Sequence, residues 1–133
     1  MPRPLALLFA LAGLATGPSA CAKAEGQAGA AAPVYRGAEP VGLGGDLYGF
    51  LVTMEGARDG DEVEAYVTCA VAGFALEKNY RYARRVRTKV TQEAGVWIAD
   101  AVYTISPTEP RGLMTIDAAA QAADCAERGI PTA

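Results

Sequence analysis

The stretch from Asp61 to Val90 constrains the fold most, because the spacing of its apolar residues changes from helical to extended within it. Asp61 precedes Glu64 by three residues, which is the spacing of a capping box that begins a helix. Apolar residues then recur at i, i+3, i+4 and i+7: Val63, Tyr66, Val67, Ala70 and Phe74, with Cys69, Gly73 and Leu76 widening the stripe. Asn79 favours a left-handed helix end. These residues predict an amphipathic helix that packs against another layer.

A period of two begins at Tyr80 and continues to Val90. One parity is mainly apolar, with Arg84 and Thr88 as exceptions: Tyr80, Tyr82, Val86 and Val90. The other parity is basic: Arg81, Arg85, Arg87 and Lys89. We expect a strand that turns its apolar side to a core and its basic side to water.

The segment from Gln92 to Gly95 predicts a hairpin turn, with Gly95 at a positive φ, followed by a strand from Val96 to Ser106. Two registers satisfy the pattern. One pairs Arg87 with Asp100, and a two-residue turn pairs Lys89 with Asp100 instead. Both place one set of residues on the buried face: Trp97, Ala99, Ala101, Tyr103 and Ile105.

Two further strands complete the predicted sheet. Residues 47–54 alternate, with Tyr48, Phe50, Val52 and Met54 on one face. Residues 113–128 fit two interpretations. Asp117 as a helix cap, the following alanines and Gly129 favour a helix, whereas alternation to about residue 120 favours a strand that pairs with the preceding one. We expect the strand, followed by a short helical turn over residues 122–128.

The expected fold is therefore α+β, a two-layer sandwich with one main helix on a four-stranded, mainly antiparallel sheet, in the order strand, helix, strand, strand, strand. The length of 133 residues allows one such domain, which we place at residues 46–133. Residues 21–45 are rich in alanine and glycine, and we interpret them as a flexible tether.

Residues 1–20 have the features of an export signal, with Arg3 before an apolar run and small residues at its end. Pro18-Ser19-Ala20-Cys21 resembles a bacterial lipobox, in which the cysteine becomes the lipidated first residue of the mature protein; Pro18 stands where that motif usually has leucine. The resemblance implies a lipoprotein on the periplasmic face of a bacterial membrane, with the outer membrane favoured. An ordinary signal cleaved after Ala22 or Ala24 is the alternative.

If Cys21 carries lipid, Cys69 and Cys125 remain as an even pair in an oxidising compartment, where a disulfide is expected. Two free thiols are the alternative. A redox-active site is disfavoured because the chain has no Cys-x-x-Cys motif.

Composition excludes several classes of site. The chain has no histidine, so it has neither a Ser-His-Asp triad nor a histidine-based metal site. Its formal net charge of −3 argues against nucleic acid as a partner. Asp59, Asp61 and Glu62 lack the ligand spacing of a calcium loop and are explained by a helix N-terminus. We therefore expect no metal, no cofactor, no catalytic residue and no enzymatic activity.

The order of elements, with Val63-x-x-Tyr66, Ala70 and Asn79-Tyr80, resembles a group of small, uncharacterised alphaproteobacterial envelope lipoproteins, over about residues 47–106. No activity is attached to that group.

The densest charge run in the chain contains five residues: Arg81, Arg84, Arg85, Arg87 and Lys89. The candidate anion-binding residues are the four of one parity: Arg81, Arg85, Arg87 and Lys89. An arginine fork suits carboxylates and phosphates, so this run is a candidate anion site for a glycan or an acidic protein surface. A solvated sheet face balanced by nearby acids is the simpler interpretation. The expected function is a membrane-tethered, non-enzymatic periplasmic module that binds or supports another envelope component; the alternative is a soluble periplasmic protein that binds an anionic ligand through this strand.

Overall fold

The computed structural model describes residues 32–132, together with residue 13. Apart from residue 13, the predicted export signal and the predicted lipidation site at Cys21 lie outside the described residues. Within them, five strands and two helices follow one another: β1 Val34–Gly44, β2 Leu47–Glu55, α1 Gly60–Glu77, β3 Tyr82–Glu93, β4 Val96–Ser106, β5 Thr115–Asp117 and α2 Ala118–Arg128. The fold is α+β, as the sequence predicted, but the sheet has five strands rather than four, and a second helix follows the last strand.

The strands form one antiparallel sheet in the order β1-β2-β4-β3-β5. Since β2 and β3 both pair antiparallel with β4, they run in the same direction, and α1 makes the crossover between them. The helix must cross the sheet to do so. Its apolar stripe is therefore buried against the sheet, with Val63, Val67 and Val71 fully buried.

The core lies between α1 and the central strands β2 and β4. The alternation in β2 is confirmed, because Phe50, Val52 and Met54 are buried. On β4, Ala99, Ala101, Tyr103 and Ile105 are buried and Trp97 packs against the cluster. The Phe74 ring on α1 contacts Tyr48 and Phe50 edge to face, with ring centroids 5.0 and 5.3 Å apart.

The first strand occupies a segment that the sequence analysis assigned to the tether. That assignment is wrong from residue 34 onward, because β1 pairs along the whole of β2. The sequence did not indicate this strand because most of its residues are exposed at the edge of the sheet. Tyr35 and Ala38 are the residues of β1 that pack against the core. Tyr35 packs edge to face on Tyr66 of α1, at 4.8 Å between centroids.

Helix α1 is capped two residues earlier than predicted. Asp59, not Asp61, is the N-cap, and its carboxylate accepts the backbone N–H of Glu62 at 3.0 Å. The Glu62 carboxylate in turn accepts the backbone N–H of Arg58 at 2.6 Å. Asp59-x-x-Glu62 and Asp61-x-x-Glu64 have the same spacing, so spacing alone could not separate them. The predicted left-handed end is confirmed, with Asn79 at φ 61°.

The expected strand to residue 120 is wrong, and the helical alternative is correct. Strand β5 has three residues, and its last, Asp117, caps α2 by accepting the N–H of Ala120 at 3.1 Å. Gly129 ends α2 in the left-handed conformation. Moreover, β5 pairs with β3 rather than with β4, because β2 and β3 already occupy both edges of β4.

Candidate functional site

A β-bulge at Val86 divides strand β3 into two halves with different registers. From the turn to Arg87, β3 follows the two-residue-turn register, with Lys89 opposite Asp100. Ala94 and Gly95 form that turn, at φ 51° and 80°. Beyond the bulge, Arg85 is opposite Tyr103 instead of the residue that the two-residue-turn register would place there. Val86 is therefore an extra residue, and the two halves of β3 present opposite parities to the helices.

The prediction that the basic residues share one face is wrong, because the bulge separates them. Arg85 lies on the side of the helices, next to Glu64 of α1. Arg87 and Lys89 lie on the outer face of the sheet, which we define as the face turned away from α1. Arg81 precedes β3, and its guanidinium lies over the Tyr82 ring at 5.4 Å. The residues thus do not form a single basic surface.

On the outer face, Arg87 forms an ion pair with Asp100, at 3.5 Å from Nη2 to Oδ1. Both side chains are more than half exposed, at 54% and 56%. An exposed pair of this kind contributes at most about 1 kcal/mol to the free energy of unfolding. Two of the four predicted basic residues, Arg87 and Lys89, therefore lie on a solvated sheet face, where Asp100 supplies a balancing negative charge.

Arg85 instead lines a pocket between α1, β3, β4 and β5, with a volume of about 140 Å³. We name it the Arg85 pocket, and its lining residues are Thr68, Arg85, Tyr103, Met114, Thr115 and Ile116. Nη1 of Arg85 lies 3.4 Å from Oε1 of Glu64, and Nη2 lies 3.9 Å from the sulfur of Met114. Thioether sulfur is a weak acceptor, so this nitrogen can exchange it for an oxygen.

Tyr103 supplies a phenol to the Arg85 pocket, and its side chain is otherwise buried. Burial raises the pKa of Tyr103 above 10.0, while hydrogen bonding with Thr68 and the positive charge of Arg85 act in the opposite direction. The phenol is therefore protonated and neutral at physiological pH. The Thr88 hydroxyl, near this phenol, is buried and makes no hydrogen bond of regular geometry within the described residues.

The predicted disulfide between Cys69 and Cys125 is present, and it joins α1 to α2. Both cysteines are fully buried. Thr68, the residue before Cys69, lines the Arg85 pocket, and Ile116, just before the cap of α2, lines its other side. The disulfide thus fixes the two helices beside the pocket.

The sequence analysis missed the pocket because it assigned Tyr103 to the core and Glu64 to a helix cap. One indication was available. Ala83 and Val90 are both apolar but of opposite parity, and they can face one core only if β3 contains an extra residue.

Among residues 32–132, no helix is long and apolar enough to cross a membrane.

Comparison with known proteins assigns the domain to a family. Residues 35–129 match the YNQ4 C-terminal domain, a range that runs from β1 to the end of α2. The chain belongs to the YNQ4 C-terminal domain family. Both cysteines of the disulfide and the lining of the Arg85 pocket lie within the part of the chain that the family covers.

The chain is similar to an uncharacterised 26.9 kDa protein from the nqo8 5′ region of Paracoccus denitrificans, with 36% identity over 80 residues. That alignment covers 60% of this chain and 31% of the relative, so the chain spans less than a third of the relative's length. No solved structure matches the chain.

Proposed function

We propose that this protein is an exported, non-enzymatic binding module, held at the periplasmic face of a bacterial membrane by lipid on Cys21. The observation that supports the exported location in this proposal is the buried disulfide between Cys69 and Cys125. Structural disulfides form and persist in oxidising compartments and are rare in the reducing cytosol. Export is thus supported by a feature of the folded domain that is independent of the predicted leader.

Membrane attachment is tested by replacing Cys21 with serine in the full chain and separating the membrane and soluble fractions of the cells. The proposal expects the parent protein in the membrane fraction, released by detergent but not by salt. Cys21→Ser should move to the soluble fraction. Ser106→Ala, which leaves the leader and all cysteines unchanged, is the matched control and should remain with the membrane. A Cys21→Ser protein that stays with the membrane contradicts lipid anchoring.

The Arg85 pocket supports a second, narrower candidate, the binding of a carboxylate or phosphate group. Arg85 directs a guanidinium nitrogen at a weak sulfur acceptor, and the neutral Tyr103 phenol can donate a hydrogen bond beside it. A volume of about 140 Å³ suits a small anionic group rather than a whole glycan. Glu64 competes for the same guanidinium at 3.4 Å, which makes the expected affinity weak.

Titration with acetate and with inorganic phosphate, followed by amide chemical shifts, tests this candidate. Shift changes should centre on the Arg85 pocket. Arg85→Gln should abolish them, whereas Arg87→Gln on the outer face should leave them unchanged. Glu64→Gln should strengthen binding, because it removes the competing carboxylate. Equal effects of Arg85→Gln and Arg87→Gln would contradict a defined site and leave only general charge attraction.

A further inference from the structure

Strand β3 has a free edge along most of its length. Strand β5 pairs only with residues 82–84 of β3, and one more hydrogen bond joins Arg85 N–H to the Met114 carbonyl at 3.2 Å. From Val86 to Glu93, β3 has no strand partner on the side away from β4 within residues 32–132. Such an edge offers unpaired backbone donors and acceptors to another strand.

The register of the hairpin shows which residues carry those groups. Glu93 and Val96 flank a two-residue turn, so they exchange both backbone hydrogen bonds. Bonding then alternates along β3, and the odd residues from Glu93 back to Arg87 bond to β4. The N–H and C=O groups that point away from the sheet are those of Thr88, Val90 and Gln92.

We propose that a second copy of this chain pairs with the free edge of β3, antiparallel, about a two-fold axis at Val90. Val90 of one copy is then opposite Val90 of the other, and Thr88 is opposite Gln92. Every residue with outward backbone groups gains a partner. The two five-stranded sheets become one continuous sheet, with the helices of both copies on the same side.

Charge and backbone pairing together select this register among those that a two-fold axis allows. With the axis at Val90, Arg87 of one copy is opposite Glu93 of the other, and Lys89 is opposite Thr91. With the axis at Thr88, Arg87 would face Lys89, which places like charges directly across the strands. An axis at Thr91 would also join opposite charges, Lys89 and Glu93, but it would place Thr88 opposite the Ala94-Gly95 turn and leave its outward backbone groups without a strand partner. Glu93 has no ion pair within the described part of the chain, and Arg87 has guanidinium donors beyond the one that it directs to Asp100.

The other long edge of the sheet suits such pairing less. Strand β1 contains Pro40, which has no N–H to donate, and its register is interrupted between Tyr35 and Gly37 and between Gly42 and Gly44. Prolines and bulges are devices by which proteins protect sheet edges. The segment of β3 from Arg87 to Glu93 contains neither.

Cysteine crosslinking of the full chain tests the pairing and its register. In the proposed dimer the two Val90 Cα atoms are about 5.5 Å apart, within the range that a disulfide spans. Val90→Cys should therefore form a covalent dimer in a redox buffer. Gln92→Cys alone should not, because its two copies would be about 14 Å apart. A mixture of Thr88→Cys and Gln92→Cys chains should crosslink, although neither variant does so alone. The parent chain controls for crosslinking through Cys21.

Failure of both Val90→Cys and the mixture to crosslink above the parent level would overturn the proposal. So would equal crosslinking by Gln92→Cys alone, which indicates random collision. Sedimentation gives a second readout without added cysteines. Glu93→Lys should weaken dimerisation by about tenfold or more, and Arg87→Glu with Glu93→Lys should restore it. Glu109→Lys, the same charge change in an exposed loop, should have no effect.

Discussion

Cys69 on α1 and Cys125 on α2 are disulfide-bonded, with Cα atoms 5.9 Å apart, although 56 residues separate them along the chain. The closed loop contains the end of α1 and all of β3, β4 and β5. The bond therefore ties the second helix, which has only two buried residues of its own, to the main helix. It restricts the unfolded chain more than it adds contacts to the folded one.

Removing this bond should lower the free energy of unfolding substantially. In the chain-entropy description, a loop of this length corresponds to about 4 kcal/mol, and measured losses are commonly about 2–5 kcal/mol. The Cys69→Ala and Cys125→Ala double variant should show this loss in urea unfolding. The parent protein in reducing buffer should match it. A loss below about 1 kcal/mol in both would show that the helices hold together without the bond.

Replacing Gly73 with alanine should destabilise the folded protein. A Cβ at this position would lie 1.7 Å from the backbone oxygen of Thr132, so the C-terminal segment would have to move away from α1. We expect Gly73→Ala to lower the free energy of unfolding by about 1–3 kcal/mol.

Gly60→Ala at the start of the same helix is the matched control, since a Cβ there meets nothing within 4 Å. It should be neutral or slightly stabilising. Deleting residues 132–133 in the Gly73→Ala background should remove most of its effect. If the deletion makes no difference, the contact with Thr132 is not the cause.

The cap of α1 can be located by comparing two aspartates. Asp59→Ala should lower the free energy of unfolding by about 1 kcal/mol, because the Glu62 N–H loses its acceptor. Asp61→Ala removes only a favourable charge in the first turn and should have a smaller effect. Thermal unfolding of both variants at one pH checks this order. The reverse order would indicate that Asp61, rather than Asp59, is the N-cap.

Tyr103 should make the protein less stable at alkaline pH. Burial raises its pKa in the folded state above 10.0, so between the unfolded and folded pKa values the folded state binds more protons than the unfolded state. The contribution of Tyr103 to the free energy of unfolding is fully present below pH 10 and is lost as the pH rises through the folded pKa. In Tyr103→Phe, the free energy of unfolding should fall less steeply above pH 10 than in the parent. Denaturant unfolding across that range measures the difference, and identical slopes would contradict it.

Elements with a strong local pattern could be predicted from the sequence. The helical period of α1, the alternation of β2 and the buried set on β4 each follow from single faces that must reach one core. The disulfide followed from compartment and cysteine number rather than from geometry. Helix α2 was visible too, in Asp117 and Gly129, but three alternating residues of β5 made a longer strand plausible.

The remaining features depend on pairing across the sheet, which local sequence does not contain. Strand β1 is defined by its bonds to β2, because its own residues are mostly exposed. The bulge at Val86 reverses the parity of β3, and it alone decides that Arg85 enters a pocket while Arg87 meets solvent. The candidate site could not be predicted because each of its elements arrives from a different part of the chain.

The intact mass of the mature protein, isolated from membranes without reduction, tests the central claim most directly. The account predicts a chain that starts at Cys21, carries the added mass of lipid and lacks the hydrogens that the Cys69–Cys125 bond removes. Treatment with a thiol reagent in denaturant, before reduction, should add nothing, because the buried cysteines are then accessible and only free thiols would react. A mature chain that starts beyond residue 21 without lipid, or one that reacts at two free thiols, would contradict the account.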